Sequence, residues 1–560
     1  MADPLVAQLE TIAARLSNGD VPAIQIDRPR NPDHGDISTN LAMILAGRIG
    51  RSPREVAQAI IDQIDLDAAG VASAEIAGPG FINFRMAVGR LQDQLLAIVE
   101  ADHQYGRSDE GAGRRVQVEF VSANPTGPLH VAHGRGAALG DAIASLLEWT
   151  GHEVTREFYV NDAGAQIDKL AESLDVRWRE LHGETATIPE GGYHGEYLRA
   201  MASELDASHG DALLTMDPAE RVKFERDHAT RALREEQDAD LRMFGVRFDE
   251  YYPESRLYEE NRLVDTLEFL REHGLTYEKD GAVWLRTSEH GDDKDRVLVK
   301  QDSSYTYFLP DIAYHRDKAA RGFEHVVNIW GADHHGYVPR MQAALRALGL
   351  GDFLDVEIVQ MVRIMRGGTE AKLSKRAGQY VTLHELAKEV GPDVARYFFL
   401  MRRGDAQMLF DLDLALDHSE KNPVFKIQYA HARLMSIFGK AGVVPDAAFA
   451  RNASLDKLVE TTERELIRQI TELPQIIVRA AGAKAPHMVC EYLETTAGQI
   501  NSWYHAGNPS RNPDLAVLVD DEALRYARLV LARGAQIVLR NGLTVLGLSA
   551  PDRMERGESE

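Results

Sequence analysis

Apolar and polar positions along this chain change their period several times, and each change marks an element. The segment VQVEFVSAN, from Val116, reads as a buried strand, and the Pro-containing loop PTGP follows it. From Leu129, the stretch LHVAHGRGAALGDAIASLLEWTG has helical periodicity, with Gly151 as its stop. VTREFYV then reads as another strand. Strand, helix and strand in this order form a βαβ unit, the building block of a parallel, doubly wound sheet. Residues 165–245 are charged and helical, which predicts an insertion into the sheet domain. Strand-like patterns return at AVWLRT, RVLVK, SYTYFL, HVVNIWG and VEIVQMVRIM. Beyond Lys375 nearly everything reads as helix, ending in the short tail RGESE.

Upstream, residues 1 to about 105 read as a small α+β unit. An amphipathic helix opens it, PRNPDHGDISTNLAMILAGRIG reads as a loop, and a helix runs from about Pro53 to Ile64. SAEIAGPGFINFRM alternates about a Gly-Pro-Gly break, which predicts two strands joined by a tight turn. Helical residues 88–100 close the unit, and HQYGRSDEGAGRR reads as a linker. Repeats and low-complexity segments are absent from the sequence.

Composition narrows the picture. A chain of 560 residues is too long for one core and predicts three or four domains. It carries no run of 18 apolar residues, and its N-terminus lacks the basic start and apolar stretch of a signal peptide. The single cysteine, Cys490, excludes an intrachain disulfide framework and a thiolate zinc finger. These features point to a cytoplasmic protein without a membrane partner. The formal charge of −24 argues against a wholly basic nucleic-acid-binding surface. Residues 420–560 nevertheless hold 17 Lys+Arg against 17 Asp+Glu, so the acid excess lies upstream.

The most informative chemistry lies in EFVSANPTGPLHVAHGRGAALGD. A helix beginning close to His130 directs backbone N–H groups and a partial positive charge outward, as a triphosphate requires. His130 and His133, three residues apart, share one face, so both imidazoles can donate to one phosphate group. The small residues Gly127, Ala132, Gly134 and Gly136 let a nucleotide approach the backbone. Structural histidines are the plainer reading of this pair. A zinc reading is weaker, because neither a Glu between the two nor a thiolate accompanies them. Far downstream, Glu370–Gly378 (EAKLSKRAG) places Lys372, Lys375 and Arg376 between glycines. Such a basic loop could close on charge that builds during attack at an α-phosphate, although a solvated charge run has the same composition. His334 and His335, near Asp333 and His315, invite a metal reading that adjacent residues pointing to different faces disfavour.

The two elements together resemble the signature sequences of class I aminoacyl-tRNA synthetases. His130-Val131-Ala132-His133 stands for His-Ile-Gly-His, and Lys372-Leu373-Ser374-Lys375-Arg376 for Lys-Met-Ser-Lys-Ser. Ala132 departs from the usual glycine, which puts a methyl group where adenine packs. The stretches FYVNDAGAQI, GVRFDEYYPES, DIAYHRDK, WGADHHGYVPR, NPVFKIQYAHAR and GLSAPDRM are similar to arginyl-tRNA synthetases, from about residue 20 to the end.

That resemblance implies an α/β enzyme: a Rossmann-like parallel-sheet catalytic core, an N-terminal α+β domain and a C-terminal α-helical bundle. It implies boundaries at 1–108 (additional domain, tRNA contact), 109–375 (catalytic, insertion about 165–245), 376–425 (connecting region) and 426–560 (anticodon-binding domain). The implied reaction joins L-arginine to its tRNA through an arginyl-adenylate. ATP with Mg2+ serves as a substrate, no cofactor is tightly bound, and the enzyme acts as a monomer. His130, His133, Lys372 and Lys375 would be catalytic, with Ala132, Gly134, Met361, Val362 and Ser374 also at ATP. Glu119, Asn124, His130, Tyr307, Asp311 and Asp333 would line the arginine site. A guanidinium, always charged and a planar fork of donors, needs such carboxylates; for each acid alone a salt bridge or cap serves equally well. Gln428, Tyr429, Arg433 and Trp503 would contact tRNA, beside His431 and Tyr504, although helix packing explains the same pattern. Two rivals remain: a smaller nucleotidylyltransferase sharing the His-x-x-His site, and a silent paralogue that only binds RNA or arginine.

Overall fold

In this computed structural model the described residues are 4–19, 21–22, 24–27, 29, 34–162, 164–371, 381–508 and 510–554. The chain divides into two compact units. One comprises Met1–Tyr105, Leu434–Glu472 and Gly498–Val538, and the other Gly106–Arg433, Leu473–Ala497 and Leu539–Glu560.

The second unit carries a five-stranded parallel sheet. Strand β1 (Arg115–Glu119) leads through a loop into helix α1 (Val131–Trp149), which returns the chain to β2 (Glu153–Val160). Three helices follow as the insertion: α2 (Ala165–Leu181), α3 (Glu196–Thr215) and α4 (Pro218–Met243). Strand β3 (Glu250–Pro253), helix α5 (Phe308–Ala320), β4 (His325–Gly331) and β5 (Leu354–Val359) complete the sheet. The strand order is β5-β4-β1-β2-β3, and every pair is parallel. The order reverses between β1 and β4, and ligands of such sheets bind outside the carboxyl ends of the strands at that point. Helices α6 (Leu383–Val390) and α7 (Pro392–Leu400) pack against α1.

Helix α1 is buried along most of its length, so it reads as apolar and small on nearly every face. It starts two residues later than the periodicity predicts, with His130 as its N-cap, and Gly151 at φ 86 ends its C-terminal turn. Gly140 is there for contact: a Cβ would stand 2.2 Å from Cγ of Phe120, at the end of β1.

Two segments differ from the sequence pattern. SYTYFL is not a strand. Tyr305 makes one isolated bridge to Val299, and Phe308 already begins α5. Pro310 sits in the first turn of that helix, where a missing N–H breaks no bond. VEIVQMVRIM splits at Gln360 into β5 and Val362–Arg366, which pairs in a separate sheet with Met408–Asp411.

In the first unit an antiparallel sheet runs in the order Ile26–Asp27, Ile37–Thr39, Phe81–Met86, Val71–Ala77. The predicted hairpin is present, with Ala77 opposite Phe81. PRNPDHGDISTNLAMILAGRIG is not all loop: it holds strand Ile37–Thr39 and helix Leu41–Ile49. Leu41, Ala42, Leu45 and Ala46 of that helix are buried in the unit's core. The Pro and Asp at the segment's start masked this spacing. Toward the C-terminus the pattern is helical, with Thr461–Thr471, Leu473–Gly482, His487–Ala506 and Glu522–Val545. Among the described residues, no helix is long and apolar enough to cross a membrane.

Candidate active site

At the N-terminus of α1, His130 and His133 form a reciprocal capping box. The His133 backbone N–H donates to His130 Nδ1, and the His130 backbone N–H donates to His133 Nδ1, each at 3.4 Å. The rings stack with centroids 3.6 Å apart. Burial lowers the pKa of both, His133 to about 3, with His130 adding like charge. Burial therefore favours the neutral form of both rings. With Nδ1 accepting in each, the proton of each ring sits on Nε2. The cap thus leaves two imidazole N–H donors at a helix terminus that already attracts anions.

The approach to α1 is backbone under strain. Val121 and Ser122, just past β1, hold φ values of 67 and 41, and a β-branched residue there is a true outlier of the kind found at ligand sites. Ser122 Oγ donates to Glu119 (3.0 Å) and accepts from the Tyr159 N–H (3.2 Å), which fixes the turn. Asn124 Nδ2 donates to Gln166 Oε1 at 2.5 Å. The basic segment Lys372, Ser374 and Lys375 lies outside the described residues, but its flanks are placed. Ala371 N–H donates to Ile364 O (2.8 Å). On the far side Val131 N–H donates to Val381 O (3.1 Å), and Leu383 N–H to Leu129 O (2.8 Å). The chain leaving the basic segment is thus hydrogen-bonded to the histidine loop.

Carboxylates gather around Tyr159 at the end of β2. Its hydroxyl pKa is raised by burial first, then by Glu254, Asp311 and Glu119. Asp311, in the first turn of α5, accepts a hydrogen bond from the Tyr337 hydroxyl. Burial pushes its carboxyl up to about 7; Tyr337 opposes the rise, while Glu254 and Glu119 add to it. Glu254 is likewise raised by burial. Glu119 takes the buried Lys318 ammonium at 2.6 Å, and Lys318 also donates to Asn328 Oδ1 at 3.1 Å. Asn328 in turn donates to His315 Nε2 (3.1 Å), and His315 Nδ1 donates to the Asp311 carbonyl (2.8 Å). One chain of hydrogen bonds therefore joins β1, β4 and α5. Such a site, acidic and desolvated, suits a cation that brings several donors.

Three family models match this sequence: the arginyl tRNA synthetase N terminal domain over residues 5–86, the class I (R) tRNA synthetase catalytic domain over 94–397, and the DALR anticodon binding domain over 427–554. The arginine–tRNA ligase of Geobacillus kaustophilus is 45% identical over 551 residues, spanning 98% of each chain. The chain belongs to the arginyl-tRNA synthetase family. A Listeria monocytogenes arginine–tRNA ligase is 44% identical over 550 residues, again 98% of each chain. The Thermus thermophilus arginyl-tRNA synthetase structure superposes with a TM-score of 0.74 at 24% identity, covering 99% of this chain and all of that one, and shows the same fold.

The other positions implied by the family resemblance fall in varied surroundings. Ala132 is half-buried in the first turn of α1. Gly134 lies behind the site, where a Cβ would meet Leu383 at 2.6 Å, so it serves helix packing. Met361 is exposed, and Val362 opens the neighbouring strand. The buried Arg135 of α1 holds the carbonyls of Gln360 (3.0 Å), Ala406 (2.9 Å) and Arg403 (2.8 Å), which anchors Met361 beside the helix. Tyr307 caps α5 and is 86% exposed. Asp333 stands on an exposed turn after β4, 3.5 Å from His334 Nε2. Among the described residues no group of three or more His, Cys, Asp or Glu is placed to hold a metal ion.

Gln428 is buried and donates to Asp393 Oδ2 (2.8 Å) and Ser549 O (3.0 Å), so it joins helices rather than facing solvent. Trp503 is 2% exposed, inside the packing. Arg433 is buried with its guanidinium 4.9 Å over Tyr429, whose ring also stacks on Phe425. His431 donates to Pro551 O at 3.0 Å. Packing, the alternative that sequence leaves open for this motif, describes Gln428, His431 and Trp503. Sequence reasoning did not single out Glu254, Tyr159, Tyr337 or Lys318. Lys318 had a signal, since it lies seven residues after Asp311 on the same helix face. Tyr337 and Glu254 reach the site only through tertiary structure.

Proposed function

We propose that this chain joins L-arginine to its tRNA in two steps, with Mg-ATP as a substrate and no tightly bound cofactor. The observation that carries the reading is the pairing, at the carboxyl ends of the strands, of two stacked imidazoles capping the N-terminus of α1 with a desolvated acidic cluster around Tyr159. The first suits a triphosphate and the second a guanidinium.

A carboxylate oxygen of arginine attacks the α-phosphorus, the bond to the β,γ-phosphates breaks, and pyrophosphate leaves. A terminal ribose hydroxyl of the tRNA then attacks the carbonyl carbon, and AMP departs with its bonding electrons. His130 and His133 donate to phosphate oxygens, and Lys372 and Lys375 approach the charge that builds at the α-phosphate. Ala132, Met361, Val362 and Ser374 border the nucleotide, and Gly134 lets α1 pack closely behind them. Asp311 ionises to pair with the guanidinium, Glu119 stands beside it oriented by Lys318, and Tyr307 and Asp333 close over the substrate. Asn124 and His130 hold the α-amino and carboxylate groups. No covalent enzyme intermediate is required, so catalysis is positioning and electrostatics.

The N-terminal domain (1–108) and the helical domain (426–560) contact the tRNA, with 376–425 linking the latter to the catalytic domain (109–375). Tyr429, half-buried in the helical domain, is the residue assigned to RNA contact there. The enzyme works as a cytoplasmic monomer. Incubation with labelled arginine, ATP and total tRNA tests the reading. Base-labile label on RNA is the expected result, and its absence with active tRNA overturns the reading.

A further inference from the structure

The loop that carries Asn124 into His130 has few donors of its own, because Pro125 and Pro128 lack N–H groups. Its carbonyls are held from outside by the helical insertion. Gln237 on α4 is 1% exposed, and its amide nitrogen donates to Asn124 O (3.1 Å) and to Gly127 O (3.0 Å). One NH2 group thus spans both ends of the Asn124–Gly127 turn with its two hydrogens. Beside it, the Tyr197 hydroxyl of α3 donates to Thr126 O at 2.6 Å. Asn124 itself donates to Gln166 of α2, so each insertion helix supplies one residue to the loop.

The same face of α4 also reaches the chain that follows the basic segment. Three residues after Gln237, Asp240 accepts from His384 Nδ1 at 2.9 Å. His384 lies in the first turn of α6, directly after Thr382 and Leu383, whose segment is hydrogen-bonded to Leu129 and Val131. Helix α4 therefore holds both the histidine loop and the start of α6.

We propose that Gln237, supported by Tyr197, is a positioning residue for adenylate formation, and that the insertion serves as the frame that holds the histidine loop in register with the start of α6. The inference rests on the adenylation reading above. Gln237 touches no substrate. It acts by fixing the carbonyls of Asn124 and Gly127, so that the Asn124 side chain and the His130 cap meet arginine and ATP in register. Misplacing such groups by an ångström is enough to cost orders of magnitude in rate.

The test uses the full chain carrying Gln237→Met, which keeps the length and removes both donors, and separately Tyr197→Phe. Three quantities are read with tRNA present: kcat for arginine-dependent pyrophosphate exchange per active site counted from the pyrophosphate burst, KM for tRNA, and the thermal midpoint. Gln237→Met is expected to lower kcat per site by about tenfold or more, and Tyr197→Phe by about threefold. KM for tRNA stays within about twofold of the parent in both. A fall in active fraction or thermal midpoint with kcat per site unchanged assigns Gln237 a merely structural role and overturns the proposal. If Gln237→Met does not fold, Tyr197→Phe decides: an unchanged kcat per site overturns it. Failure of the unmodified chain to exchange with arginine would instead refute the adenylation reading.

Discussion

A neutral histidine presents one defined N–H to a phosphate when its tautomer is fixed. In the His130–His133 cap each backbone N–H occupies the partner's Nδ1, which leaves Nε2–H as the donor whatever the pH above about 3 for His133. His133→Ala removes one donor and one half of the cap. We expect the single-turnover rate of adenylate formation to fall by roughly 10²-fold with little change in KM for arginine. An unchanged rate would remove His133 from the chemistry. Asp311 behaves differently. Its carboxyl titrates at about 7 in the empty site, while a guanidinium beside it favours the ionised form. Arginine binding therefore expels a proton, and affinity falls as pH drops through 7. KM for arginine should rise by up to about tenfold per pH unit below that point, and Asp311→Asn should flatten the profile at a weaker affinity. A flat profile in the unmodified enzyme would contradict the assignment. His-x-x-His and the acid Asp311 were legible from sequence as residue types. The reciprocal cap was not, since it depends on the rotamers of both rings.

At the scale of elements, the sheet and its helices followed from period alone wherever the segment was long. The β1–α1–β2 unit is such a case, with a 19-residue α1. Short segments misled: SYTYFL alternates over too few residues to distinguish a strand from the turn before α5. Helix α1 also depends on close approach to β1. Gly140→Ala would place a methyl group 2.2 Å from Phe120 Cγ, forcing the ring or the helix to move. We expect a loss of about 1–3 kcal/mol, read as a lower thermal midpoint; an unchanged midpoint would mean that α1 has room to shift. The insertion shows where sequence falls silent. Its charged helices were legible, but Gln237 meets Asn124 and Gly127 more than 100 residues away, and a glutamine on a polar helix gives no sign of its partner.

For the whole molecule, the acid excess and the RNA substrate are compatible because different parts face them. The excess lies upstream of the neutral stretch 420–560, and the acidic cluster around Tyr159 in the catalytic unit is where an amino acid cation belongs. The residues expected to meet RNA were the least legible. A Tyr-Ala-x-Ala helix reads alike whether its polar residues meet bases or neighbouring helices, and Gln428 and Trp503 are packed inward. The central claim is that the paired imidazoles and the carboxylates around Tyr159 form one site that activates arginine. Pyrophosphate exchange into ATP, measured with each of the twenty amino acids in the presence and absence of total tRNA, tests it most directly. The account predicts exchange with arginine alone, and only when tRNA is present. Exchange with a different amino acid, or none with arginine under either condition, would contradict it.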